Sequence, residues 1–122
     1  MDELAVHVAG DLVARHPELR TALACWLVSD DIWLARTAIL HQERSKERTD
    51  AGVLFDWCLR RSADREFFIR KAIGWALRSY AKVAPEVVAA FLDAHGGDLS
   101  ALSRREAERG VEMGRRVRPA LA

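Results

Sequence analysis

Arg36 and Trp75 are the two residues whose neighbours in the sequence ask for a chemical explanation. Arg36 lies one helical turn after Ile32 and Trp33 and one turn before Leu40, so it projects from a largely apolar neighbourhood. A guanidinium is costly to strip of water without a partner. Two readings follow: an ion pair with a neighbouring helix, or an arginine that grips a phosphate. Trp75 shares a stripe at helical spacing with Lys71, Arg78 and Lys82. An indole among three cations suits a surface that holds phosphates and offers an aromatic face to a nucleotide. The same pattern arises when basic side chains snorkel around a half-buried core tryptophan. Arg44, Lys46 and Arg48 either extend such a phosphate-contacting surface or form a solvated charged loop, and Arg115 to Arg118 read as a basic tail.

Other chemistries find little support. Asp2 opens the first helical segment, where an acid is favourable for the helix dipole. His7, His16, His41 and His95 show no metal-ligand spacing, and no nucleophile elbow, Walker loop or zinc signature occurs. Neither a metal nor another cofactor is therefore expected. Cys25 and Cys58 lie in apolar stretches without a CxxC spacing, which reads as a pair of reduced core thiols in an intracellular protein. No apolar run approaches the roughly 20 residues of a membrane span, and no signal sequence opens the chain, so a cytoplasmic location away from membranes is expected. A formal charge of +1 over 122 residues, 30% of them charged, confines any nucleic-acid contact to a local patch.

The elements that must position these residues read as helices throughout. Leu4, Val8, Leu12 and Val13 line one side of a segment from Asp2 to Arg15; Pro17 suits the first turn of a second helix ending near Val28. Ser29, Asp30 and Asp31 offer N-caps to a third, and a polar stretch from Glu43 to Asp50 leads to a fourth. The fifth runs from about Asp64 to Lys82, with Ile69, Ile73, Ala76 and Tyr80 facing inward. Pro85 opens a sixth that Gly96 and Gly97 end, and Ser103 with Glu106 predicts a capping box for a seventh. Trp33 to Ile39 aligns with Phe67 to Ile73 at an offset of 34 residues, each an aromatic, two apolar residues, arginine, a variable position and Ala-Ile. That period fits two short helices with their turns, so the fold class is all-α: an α-solenoid of about seven helices in HEAT-like antiparallel pairs. Residues 1–110 form the domain and 111–122 the basic tail.

Four blocks carry a resemblance: Asp31 to Gln42 (DIWLARTAILHQ), Lys46 to Asp50 (KERTD), Arg65 to Arg78 (REFFIRKAIGWALR) and Leu102 to Ala107 (LSRREA). In order and spacing they resemble the signature blocks of AlkD-like DNA alkylation repair enzymes, over Asp2 to about Ala107. Family proteins carry a further N-terminal half, so this chain reads as the C-terminal part, truncated on the N-terminal side. The resemblance implies a DNA glycosylase, a hydrolase that excises N3- and N7-alkylated purines from double-stranded DNA without flipping the base. It places the catalytic aspartate on Asp2, the active-site arginine on Arg36 and an active-site tryptophan on Trp75. Arg44, Lys46 and Arg78 fall on positions expected to contact the DNA backbone, joined by Lys71 and Lys82 of the stripe. Ser45 stands where the family has tyrosine, and Glu108 and Arg109 replace its usual basic end. A monomer is expected. The alternatives are a DNA-binding repeat remnant without catalysis and a helical protein–protein scaffold.

Overall fold

Three helix starts are fixed by side-chain caps, which accept backbone N–H groups that the first turn leaves without partners. The Asp31 carboxylate accepts from Trp33 and Leu34 at 2.9 and 3.4 Å, Asp50 from Val53 at 3.1 Å, and the Ser100 hydroxyl from Ser103 at 3.1 Å. A computed structural model describes residues 2–117, with side chains from Leu4 onward. Its helices are α1 (Asp2–Arg15), α2 (Arg20–Leu27), α3 (Ile32–Leu40), α4 (Ala51–Arg60), α5 (Phe67–Ala81), α6 (Pro85–His95) and α7 (Ala101–Val117). Single 3-10 turns lie at Pro17–Leu19, Lys46–Arg48 and Gly96–Asp98, and no strand occurs among the described residues.

Local expectations fail at two places, each for a physical reason. The Ser103–Glu106 capping box does not form. Ser100 stands three residues earlier and takes the cap, which leaves the buried Ser103 hydroxyl to donate to the Arg70 carbonyl on α5 at 2.7 Å. Helix α5 begins at Phe67 rather than Asp64, because the Asp64 carboxylate accepts the Glu66 N–H at 2.8 Å and holds a turn there instead. Arg61 also binds that carboxylate, and this pairing first, with the Glu66 N–H second, keeps it below the usual carboxylate range. Helix α7 runs on past residue 110 to Val117, with Val111 and Gly114 buried. Arg115 and Arg116 are therefore helix residues paired with Glu86 and Glu112, and only 118–122 of the expected tail lie outside the described residues.

The odd-numbered helices α1, α3, α5 and α7 pack side by side in chain order. Helix α2 lies against α3, α4 against α3 and α5, and α6 against α5 and α7. The chain thus alternates between two layers, as a solenoid of stacked helix pairs does. The 34-residue offset is the step from α3 to α5, and Ala101 to Ala107 repeats it on α7, with Arg104 in the place of Arg36 and Arg70. Leu27, Ile69, Ile73, Leu77 and Val88 are wholly buried between the layers. The closest crossing is α5 on α7. A Cβ at Gly110 would lie 2.7 Å from both the Cα and the carbonyl oxygen of Arg78, and one at Gly114 would run into the Ala81 carbonyl. Only glycine permits backbones this near.

Candidate nucleic-acid interface

Arg36 is 5% exposed, and its guanidinium lies against the start of α5. One terminal nitrogen donates to the Phe68 carbonyl at 2.6 Å, and the guanidinium carbon sits 5.9 Å from the centre of the Phe68 ring. Phe68 in turn touches Trp33 and Phe67, with ring centres 5.4 and 5.5 Å apart. These three rings belong to the residue types that folding normally buries, yet Trp33 is 50%, Phe67 53% and Phe68 40% exposed. They form an aromatic surface across the N-terminal turns of α3 and α5, with Arg36 at its floor. Sequence reasoning used Phe67 only as a marker of the repeat, and Trp33 as that and as an apolar neighbour of Arg36. The signal for a site was the repeat itself, because both copies place an aromatic at one position of neighbouring helices, α3 and α5.

The α5 stripe continues this surface. Lys71 Nζ lies 5.8 Å from the Phe67 ring centre, within range of a cation–π contact. Trp75 comes eight residues after Phe67, about 12 Å along the helix axis, and is 37% exposed. Lys82 extends the stripe beyond it and is exposed. Arg78 departs from its neighbours. Its side chain is half-buried and donates to Glu106 on α7 at 2.9 Å, while its Nε is buried without a hydrogen-bond partner. Of the four residues of the stripe, three present themselves to solvent and Arg78 joins two helices.

Arg44, Lys46 and Arg48 are exposed on the connection between α3 and α4, whose 3-10 turn packs on α5. None of the three makes an ion pair among the described residues. Lys46 has φ at 51°, the left-handed region that a lysine seldom adopts. Asp2 occupies the first turn of α1, which packs on the helix carrying Arg36, and its side chain lies outside the described residues. The structure therefore unites Arg36 with the aromatic surface and sets Lys71, Trp75 and Lys82 in line on α5 and its C-terminal cap.

No group of three metal-ligating side chains occurs among the described residues, and no helix there is long and apolar enough to cross a membrane. Burial pushes the Cys58 thiol up to about 12, so it stays protonated and unreactive. Cys25 corrects the expectation of two core thiols: it is exposed on α2, whose Leu23 and Leu27 face the core instead.

Comparison with known proteins identifies the family and the fold. Residues 1–110 match the family described as DNA alkylation repair enzyme. A solved structure, a predicted DNA alkylation repair enzyme from Enterococcus faecalis, superposes with a TM-score of 0.74 at 32% identity. The match covers 83% of this chain and 47% of that one, so this chain spans about half the length of its structural relative. A search of curated proteins finds no match. With its family match over nearly the whole chain and the same helical fold, the protein belongs to the AlkD-like DNA alkylation repair enzyme family.

Proposed function

We propose that this chain acts in DNA repair by hydrolysing the N-glycosidic bond of N3- or N7-alkylated purines in duplex DNA. The observation that carries this reading is the solvent-facing run of aromatics and cations on α3 and α5, with the buried Arg36 beneath it. Aromatic rings attract a cation through their faces, and an alkylated purine is cationic. Lysines beside them would neutralise the phosphates that flank such a base.

The lesion makes the reaction undemanding. Its positive charge has already weakened the bond from the sugar C1′ to the purine nitrogen, so no strong general acid is needed. The bonding pair leaves with the purine and cancels its charge. Water then adds to C1′ and loses a proton. A carboxylate beside the electron-poor sugar would stabilise it and orient that water, as in glycosidases. Asp2 is the residue assigned to this role, Arg36 to the adjoining phosphate, and Trp75 to the face of the base or sugar. Lys71, Lys82, Arg44 and Lys46 would contact the backbone, and Arg78 could join them only by leaving Glu106.

Release of methylated purines from alkylated duplex DNA tests the proposal. Wild-type chain should release them, and Asp2→Asn or Arg36→Ala should lower the rate by at least about tenfold, the weight of one lost electrostatic contact in a reaction of this kind. Release undiminished by both substitutions would sink the assignment. A second reading, DNA binding without catalysis, draws on the exposed cations of the α3–α4 connection and of α5 alone. Its signature is salt-sensitive binding with no release.

A further inference from the structure

The loop carrying Arg44, Lys46 and Arg48 is closed by one buried amide. Gln42 is 6% exposed and spends both ends of its side chain on Asp50, at the far end of the loop. Its Oε1 accepts the Asp50 N–H at 2.7 Å, and its Nε2 donates to the Asp50 carbonyl at 3.2 Å. The amide thus imitates a pair of β-ladder hydrogen bonds across an otherwise irregular segment. Arg20 braces the clamp from α2. Its Nε donates to His41 Nε2 at 3.1 Å, one terminal nitrogen reaches Gln42 Oε1 at 3.5 Å, and the other lies 3.9 Å from the Asp50 carboxylate. His41 is held by its own Nδ1, 2.6 Å from the Ala38 carbonyl, and its ring packs on Trp57 with centres 4.9 Å apart.

Three features of the loop coincide. Its ends are fixed from the core, its Lys46 backbone is held in a strained region, and its three cations have no ion partners among the described residues. Strain of this kind persists only where the surroundings over-determine it, and such places are drawn disproportionately from binding and switch regions. A loop serving only as a connection needs no such hold; chain entropy would let it relax. We infer that Gln42 is a positioning residue, which through the Asp50 clamp and the Arg20 brace pre-sets Arg44, Lys46 and Arg48 for contact with successive phosphates. The inference rests on the DNA-binding part of the proposed function and assigns Gln42, Arg20 and His41 no contact with DNA.

Titration of the full chain with duplex DNA at several salt concentrations tests it, with thermal unfolding run on each variant. Each phosphate contact adds about 0.9 to the salt slope. Gln42→Ala, folded, should weaken binding about tenfold and flatten the slope by about 2, as cations lose register with the backbone. Adding Arg44→Ala with Arg48→Ala should then cost little more, since residues acting as one unit are not additive. A folded Gln42→Ala with the wild-type slope overturns the inference, whatever its affinity, because general damage lowers the active fraction without removing phosphate contacts. Hydrogen exchange in the wild-type chain covers the case in which the variant does not fold. The Asp50 amide should exchange far more slowly than the free-chain rate, and exchange at that rate means the clamp is open and the inference fails. Wild-type chain with no salt-dependent binding removes the DNA reading itself and the inference with it; wild-type binding unchanged in the variant removes the inference alone.

Discussion

At the scale of single residues, the titration of His41 is governed by its surroundings. Burial first, with the Arg20 charge adding to it, holds its pKa down at about 4 against an ordinary 6.5, although the Ala38 carbonyl works the other way. A neutral ring fits its partners, since Nδ1–H donates to Ala38 while Nε2 accepts from Arg20. In the unfolded chain the same ring takes a proton near pH 6.5. Between pH 6.5 and about 4 the unfolded state thus binds more protons, and stability is complete above this window and falls as the pH drops through it. The whole loss is on the order of 3 kcal/mol. Urea midpoints at pH 7 and 4.5 should separate more for wild type than for His41→Gln, and equal separations would show that burial of His41 contributes nothing.

At the scale of elements, the α5–α7 crossing tolerates no side chain where it is tightest. Gly110→Ala should cost about 1–3 kcal/mol, because the new methyl meets the Arg78 backbone rather than a movable side-chain tip. Gly97→Ala is the matched control. Nothing lies within 4 Å of a Cβ there and its φ is not positive, so it should stabilise by about 0.4–1 kcal/mol by restricting the unfolded chain. Denaturant midpoints moving the same way in both variants would contradict this account. The cap at Asp31, the proline start of α6 and the 34-residue repeat were legible in the sequence because each is decided within a few turns of chain or by repetition. The pairing of Arg78 with Glu106, 28 residues on, was not legible, since both lie on seemingly solvated faces until α7 folds over α5. For the same reason the sequence pointed to Ser103 as the cap where Ser100 takes it. Cys25 is different: its apolar neighbours suggested the core, but the four-residue spacing of Leu23 and Leu27 already turned it outward.

At the scale of the whole molecule, a net charge of +1 leaves any attraction to DNA to where the cations stand. Lys71→Glu with Lys82→Glu should abolish duplex binding at moderate salt, because each reversal both removes a phosphate contact and adds a repulsion. The paired reversal Asp56→Lys with Asp93→Lys, on α4 and α6 of the other layer, should change it little. Binding that survives the first pair intact would make the stripe a solvated edge and favour the scaffold reading. The glycine seam described above bears on this surface too. Phe67, Lys71 and Trp75 stand on α5, whose backbone at Arg78 and Ala81 is locked directly against α7, so that platform has little freedom left to surrender when a ligand arrives. Whatever entropy is lost on association then falls on the long lysine and arginine tips, and the protein meets its ligand with a backbone already set and only its side-chain ends left to settle.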